Sequence, residues 1–570
     1  MDVRAARRGR PVARLFAIAA LAVLLLPAGA SAQEPQRPAS QTEAPRFYSL
    51  SAREAVAAAD RDANVRRERE RRGALYGVGY TRGAGVWQVS YFAGGVERVQ
   101  VLVGDRDRRV LESWTGHQVR WKMARGYEGA FGRKLNAPYV WIPLCLLFLL
   151  PFVDPRRPLR LLHLDLLILL ALSASVAFFN AGNIGVSVPL VYPVLVWLLV
   201  RMLVIGVHGR GSPGRLFPLV PVVAVALGLV FLAGFRIALN VTDSRVIDVG
   251  QSSVVGADRV TDGDELYGEP FSRTDRHGDT YGPVTYLLYV PFEQVLPWEG
   301  KVDPAAAKAA AVAFDLLTLL GLLVLGRRLR AGPEGRALGV ALAYAWAANP
   351  FSVYVLQANA NDSAVAMLLV WALVALALPA LRGVMVALAV AAKFSPAALL
   401  PLFARGTSPL RARSVLLYGA AVLAVLAAAF LPFLPDGGFR EVYDRTIGYQ
   451  LSRESPFSVW GQEPGLAPLH DGLKVAAALL ALAVAFVPRR RSPVQVAALA
   501  AAVVIAVQLV VTHWFYLYVV WFLPLVLVAL LAPLALRGRE ALGPGLELEP
   551  RGVDRLGDQP VPAGAHDQLQ

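Results

Sequence analysis

The sequence predicts an all-α polytopic membrane protein of about 11–13 membrane segments, preceded by a small α+β extracytoplasmic domain. Three observations lead there. Hydrophobic residues make up 56% of the 570 residues and charged residues 17%, and the mean hydropathy is +0.47. A soluble globule carries about 25% charged residues, so there is too little polar side chain to cover several water-soluble cores and lipid must solvate most of the chain. From Tyr139 onward apolar segments follow one another, and about 20 apolar residues cross a ~30 Å hydrocarbon core. Before Tyr139 the pattern differs: a capped helix is followed by period-2 alternation. The same composition excludes disorder, collagen and coiled coil. The single cysteine, Cys145, excludes intrachain disulfides and a cysteine-built metal site. The net charge of +15 is carried by arginines in short loops, as expected of cytoplasmic loops, so no nucleic-acid partner is expected.

The elements follow in order. Arg4, Arg7, Arg8, Arg10 and Arg14 precede a short apolar run and the small residues Ala30, Ser31 and Ala32, which is the pattern of a signal peptide over residues 1–32. A polar linker, 33–46, comes next. Ser51 with Glu54 three residues on forms a capping-box signal before an alanine-rich helix. Trp87, Val89 and Tyr91 alternate, as do Val99, Val101 and Val103, with Gly94-Gly95 between them as a hairpin turn. Residues 105–108 form a second turn before Val110. One helix and about three strands make an α+β domain over 47–125. The stretches SAREAVAAADRDANV, WQVSYFAGG and VERVQVLVGDRDRRVLESWTG resemble a PepSY-like domain, which implies binding or inhibiting a partner. An extracellular cap packed on the membrane domain is the competing reading.

The apolar segments are 139–153, 161–179, 184–206, 216–239, 305–326, 337–349, 363–380, 414–434, 469–487, 494–511 and 514–536. Two more are irregular: 283–297 contains Pro283, Pro291, Glu293 and Pro297, and 383–404 is interrupted at Ser395-Pro396. Residues 139–207 form three accessory spans and 216–536 the core. Arginine placement orients them. With the N-terminal domain outside, Arg156, Arg157, Arg160, Arg210, Arg215, Arg327, Arg328 and Arg330 fall inside. So do Arg405, Arg411, Arg413, Arg489, Arg490, Arg491 and the tail, 537–570. For 405–413 to be cytoplasmic, 383–404 must enter and leave on one face, as a hairpin of two half-helices broken near Phe394. A broken helix is tolerated where it lines a buried site rather than lipid. The long loops 240–281 and 435–468 then lie outside, on the expected active-site face. Heavy alanine and arginine usage with little lysine suggests a bacterial gene of high GC content, so the membrane expected is a bacterial plasma membrane.

The loop after the fourth span carries Asp248, a segment from Ser252 to Val260 that can form a short helix ended by Gly263, and the turn Tyr281-Gly282-Pro283. With WAANPFSVYVLQANANDSAVAMLLVWALVAL and RGVMVALAVAAKFSPAALLPLF, it resembles the GT-C superfamily, integral-membrane glycosyltransferases that use polyprenyl-phosphate sugars. The nearest resemblance is to glycosyltransferase family 87, the mannosyltransferase-like branch, over about 216–536. The turn is Tyr-Gly-Pro where that family has a Tyr-Pro-Pro-like turn, and three extra spans precede the core. The resemblance implies a polyprenyl-phosphate-sugar donor, an envelope glycan or lipid acceptor, and Asp248 as the acidic residue of the first outer loop.

Such chemistry needs a group to deprotonate the acceptor hydroxyl and a cation to stabilise the departing phosphate. Asp248 is the candidate base, with Asp243 its competitor one turn nearer the membrane. Lys393 lies in an apolar run beside a helix break, where an ionisable residue marks function by default; snorkelling to the interface is the alternative. Arg245 and His513 are further phosphate candidates, with Arg236 and Arg445 weaker ones. Gln357, Asn359, Asn361, Asp362 and Tyr281 are candidates for hydroxyl contacts, while Asn361 and Asp362 suit helix caps equally well. Asp165 and Asp315 suit interhelical hydrogen bonds. Asp262-Gly263-Asp264 hints at a divalent metal, though turn chemistry explains it better, and no other cofactor is indicated. Two rival functions remain: a transporter or lipid-carrier flippase, and a non-enzymatic envelope sensor or scaffold.

Overall fold

The computed structural model describes residues 35–83, 85–126, 133–209, 211, 213–268, 271, 277–407 and 411–536. The expected signal peptide, the C-terminal tail and Arg210 lie outside them. The chain is a polytopic helical bundle preceded by a small α+β domain.

In the N-terminal domain, helix α1 (Ala52–Ala59) begins at the expected capping box: the Ser51 backbone N–H donates to the Glu54 carboxylate at 2.9 Å, and the Ser51 hydroxyl accepts from the Glu54 N–H. Helix α2 (Ala63–Arg72) follows, capped by Asp62. The sequence reading had no place for it, because ANVRRERERR has almost no apolar period. Strands β1 (Tyr76–Thr81), β2 (Val86–Ala93), β3 (Val96–Gly104) and β4 (Val110–Thr115) pair antiparallel in that order. The β2–β3 turn is Gly94-Gly95, both at positive φ (58° and 75°) as a two-residue hairpin turn demands. Strand β1 was missed because glycine takes alternate positions in YGVGYT. Its glycines let α1 approach: a Cβ added to Gly79 would lie 3.0 Å from the Ala52 side chain. Ala52, Ala55 and Ala59 of α1 pack with Trp87, Val89, Tyr91, Val99, Val101 and Val103 in a core of their own.

The membrane part comprises α3 (Pro138–Leu149), α4 (Leu161–Asn180), α5 (Ile184–His208), α6 (Val222–Asp243), the amphipathic α7 (Asp248–Asp262), α8 (Ala305–Leu329), α9 (Gly332–Ala348), α10 (Pro350–Ala358), α11 (Asp362–Val374), α12 (Pro379–Ala392), α13 (Ala412–Phe430), α14 (Ala467–Ala483), α15 (Pro493–Leu509) and α16 (Val519–Leu531). Among the described residues six helices are long and apolar enough to cross a membrane. The bent pair α9–α10 and five shorter apolar helices bring the apolar segments among the described residues to twelve. The stretch 283–297 is two short helices, Pro283–Leu287 and Val290–Glu293, rather than a span. The 59° bend between α9 and α10 falls at Asn349-Pro350. Pro350 lacks the N–H that would continue α9, and the Asn349 side-chain oxygen Oδ1 accepts from the Phe351 N–H at 3.0 Å, capping the start of a new helix.

Hydrogen bonds gather the arginine-bearing loops at one end of the bundle. Arg160 donates to Pro213 O, Leu216 N to Ala535 O, and Arg330 to Leu534 O; Gln495 donates to Gly206 O and Arg405 to Ala485 O. At the other end Gln118 reaches Gly182 O, Lys134 N reaches Asp243, and Gln462 reaches Ile184 O. The segment 379–405 doubles back: Arg382 near the start of α12 donates to Phe403 O at 2.7 Å and Ala404 O at 2.9 Å. Eleven residues of helix separate Arg382 from Lys393, so the tip stands about 16 Å from these ends. The buried carboxylates of Asp165 and Asp315 hold helices together. Asp165 receives the Arg201 guanidinium at 2.9–3.0 Å and Trp197, and Asp315 pairs with Arg236 and receives Trp346. This commits Arg236 to the core.

Candidate active site

At the end of the bundle opposite the arginine loops lies a cavity of about 440 Å³. Its walls come from elements far apart in sequence: the start of α7, the Tyr281-Gly282-Pro283 turn, the start of α11, the α12 hairpin tip, the link between α15 and α16, and Met123 from beyond the sheet.

Asp248 is the first residue of α7 and lines the cavity, with an exposed side chain. The helix begins four residues earlier than the expected Ser252, so Asp248 is fixed to a helix end rather than to a loop. Gly250 packs against the Asn359 backbone so tightly that any Cβ there would collide. Asp243 is excluded from the cavity: it is buried at the end of α6 and accepts from the Lys134 N–H at 2.8 Å.

Lys393 ends α12 with extended backbone (φ −136°, ψ 127°), and its ammonium enters the cavity instead of snorkelling. It donates to Asp362 Oδ1 at 2.8 Å. It also faces the rings of Tyr281, Trp521 and Tyr518 at 4.9, 5.5 and 5.9 Å. A carboxylate and three aromatic faces thus hold a charge that lipid could not solvate. Asp362 Oδ1 also accepts from Trp521 Nε1 at 3.0 Å. The turn above is tied to the tip, since Gly282 N and Thr285 Oγ1 both donate to Ala392 O. This accounts for glycine in place of the second residue of a Tyr-Pro-Pro turn. Proline has no N–H to donate, and any Cβ at 282 would collide with Ala391 O.

His513 lines the cavity, with Ser455 Oγ at 2.9 Å from Nδ1. Burial, then the nearby Arg453 and Lys393 charges, push its pKa well below that of an ordinary imidazole. The direction favours the neutral ring, which exchanges hydrogen bonds with a ligand rather than supplying a fixed positive charge.

Arg245, Gln357, Asn359 and Asn361 do not line the cavity. They build the seam behind it. Arg245 N donates to Gln357 O at 3.2 Å, and its side chain is exposed elsewhere. Asn359 ends α10 in the left-handed region (φ 51°) and accepts from Asn240 Nδ2 at 2.8 Å. Gln357 is buried in α10. Asn361 donates to Ser253 Oγ at 3.0 Å and makes no side-chain cap bond. Of the sequence-derived site residues, the cavity brings together Asp248, Tyr281, Asp362, Lys393 and His513.

It also takes in residues that sequence reasoning passed over: Arg453, Lys474, Tyr449, Gln450 and Met123. Nothing marked them, because each is an ordinary loop or helix residue until folding carries it to the cavity. Arg445, a weaker candidate, belongs to an adjoining depression, where it pairs with Asp279 at 2.9 Å and Glu441 at 3.1 Å. Among the described residues no group of three His, Cys, Asp or Glu side chains could hold a metal. Asp262 and Asp264 flank Gly263, the left-handed cap of α7 (φ 79°), so turn chemistry accounts for them.

No protein-family model matches the chain. No curated protein matches it either. Among solved structures the chain is similar to ArnT from Cupriavidus metallidurans bound to undecaprenyl phosphate, with a TM-score of 0.35 and 16% sequence identity over 55% of this chain. The match spans 58% of that chain's length.

Proposed function

We propose that the protein is a polyprenyl-phosphate-dependent membrane glycosyltransferase of the GT-C type, moving a hexose such as mannose to an envelope glycan or lipid at the outer face of a bacterial plasma membrane. The observation that carries this reading is that Asp248 and Lys393, singled out on separate chemical grounds, line one cavity. The cavity has an apolar side, including Val365, Leu369, Val504 and Val507, suited to a lipid chain, and a polar side suited to its phosphate.

In the proposed reaction the acceptor hydroxyl loses its proton to Asp248 and its oxygen bonds to the sugar C1 as the C1–O bond to phosphate breaks. The electron pair leaves with the polyprenyl phosphate, whose charge faces Arg453 and Lys393. Such a site works by aiming fixed charge at the leaving group, and a general base contributes about 10²–10⁴-fold. Asp362 already shares the Lys393 charge, so Arg453 is needed beside it. The signal peptide and the PepSY-like character of 47–125 belong to the same proposal.

The test is an assay of the purified full-length protein in nanodiscs with radiolabelled polyprenyl-phosphoryl mannose, glucose and galactose and an envelope lipid extract. Transfer of label from at least one donor supports the reading. If the folded protein binds none of these lipids and transfers no label, the reading is wrong. Movement of intact lipid across the bilayer without transfer would identify a flippase instead.

A further inference from the structure

We infer that Trp121, on the segment leaving the N-terminal sheet, is a positioning residue of the cavity that holds the Arg453 guanidinium and the His513 ring at its rim. The N-terminal domain is thereby one wall of the site rather than an appended module. The inference rests on the glycosyltransferase reading for the ligand but not for the geometry.

Trp121 lies between two short helical turns, His117–Arg120 and Lys122–Arg125. Its ring meets Phe457 edge-on at 5.5 Å and His513 at 5.8 Å, and the Arg453 guanidinium carbon lies 5.1 Å over it. Arg453 and His513 line the cavity, as does Met123 two residues on.

The segment is anchored on both sides. Towards the sheet, Arg125 donates to the Gln100 side chain on β3 and lies 5.6 Å from the Trp114 ring on β4. Towards the bundle, Gln118 Nε2 donates to Gly182 O at 2.9 Å. There Gly126, at φ 55°, meets the 180–182 backbone so closely that no Cβ fits, and a Cβ on Gly182 would lie 2.6 Å from Arg125 O. Two facing glycines at a backbone-to-backbone approach make this a built joint.

The charges explain what the joint does. Lys393 is paired with Asp362 and Lys474 with Asp471. Among the described residues Arg453 is the cavity cation with no carboxylate partner. An aromatic face holds a guanidinium without neutralising it, so its charge remains available to an anion. The same ring, with Phe457, shields His513. The electrostatic neighbours of His513 are Arg453 and Lys393, with Ser455 on Nδ1. Burial first, then those two cations, disfavours its protonation.

The test uses the full-length protein in nanodiscs with a short-chain polyprenyl-phosphoryl mannose, a phosphodiester of constant charge from pH 5.5 to 8. Trp121→Ala should weaken binding of this probe about tenfold at pH 8, the size of a desolvated cation–π contact. It should also open His513 to water, which removes the burial cause and raises its pKa towards the ordinary imidazole range while the two cations still oppose protonation. Binding by the variant should then recover as pH falls towards about 5.5, while wild-type binding stays flat. His513 should become accessible to diethylpyrocarbonate, read by mass spectrometry, in Trp121→Ala and stay protected in wild type and Trp121→Phe. Unchanged binding, a flat pH profile and unchanged His513 protection in a folded Trp121→Ala protein would overturn the inference. If wild type itself binds no probe, the donor assignment fails, and His513 protection alone then decides the positioning role.

Discussion

A carboxylate on a helix end and an ammonium at a hairpin tip do different work, so their variants should fail differently. Asp248→Asn keeps the shape and loses the proton affinity. It should fold, bind the carrier lipid, and transfer sugar at least about a hundredfold more slowly. Lys393→Met leaves Asp362 buried without its cation and removes charge from the phosphate side. Donor binding should fall along with turnover, and stability should drop by about 3–5 kcal/mol, as when a buried ion pair loses one partner. Asp264→Asn, beside the α7 cap and away from the cavity, should change neither. Kinetics and lipid binding measured on the three proteins side by side decide the matter. Near-wild-type transfer by a folded Asp248→Asn enzyme would take the base out of the 240–281 loop altogether, since its competitor Asp243, at the end of α6, is occupied by the Lys134 backbone. The sequence singled out Lys393 because a charge in an apolar run needs a reason. It gave no comparable signal for Arg453, whose surroundings in the chain are polar.

At the scale of elements, the hairpin 379–405 and the turn 281–283 depend on each other. Gly282 makes the joint, with its N–H on Ala392 O and no space for a Cβ against Ala391 O. Gly282→Ala should therefore lift the turn off the tip and cost about 1–3 kcal/mol, the usual penalty for overpacking. The Tm in detergent should fall, and lipid binding should weaken as the Lys393 cage loses Tyr281. A Tm and an affinity equal to wild type would show that the turn does not hold the tip. The doubling-back itself was legible from arginine placement, because charge on both flanks of an apolar segment leaves only an even number of crossings. The bend at Asn349-Pro350 was legible as a motif but not as a bend, because proline also begins ordinary helices. Helix α2 and strand β1 carry almost no apolar period, and only packing against α1 and β2 shows that they exist.

At the scale of the whole molecule, the two ends of the bundle differ in charge and in content. Arginine loops bond to one another at one end, while the cavity, the described residues of the 240–282 loop and the N-terminal domain share the other. The positive-inside rule then predicts that the cavity end is extracytoplasmic. On a Cys145→Ala background, a cysteine placed at Asp264 should react with an impermeant maleimide added to intact cells, and one placed at Arg328 should not. Labelling at Arg328 from outside would reverse the orientation and, with it, the proposed outward-facing site.

The sequence by itself determined the environment of each segment. Hydropathy over about 20 residues sets what must sit in lipid, arginines set which loops stay together, and capping and alternation set the local elements of the first domain. These are local properties, summed along the chain. The tertiary structure alone decided which side chains share the cavity. Asp248, Asp362, Lys393, Arg453 and His513 come from five elements, and sequence distance carries no record of that meeting. It also separated Lys393, whose charge is shared with Asp362, from Arg453, whose charge rests on the face of Trp121, because a cation's partners are fixed by packing and not by composition.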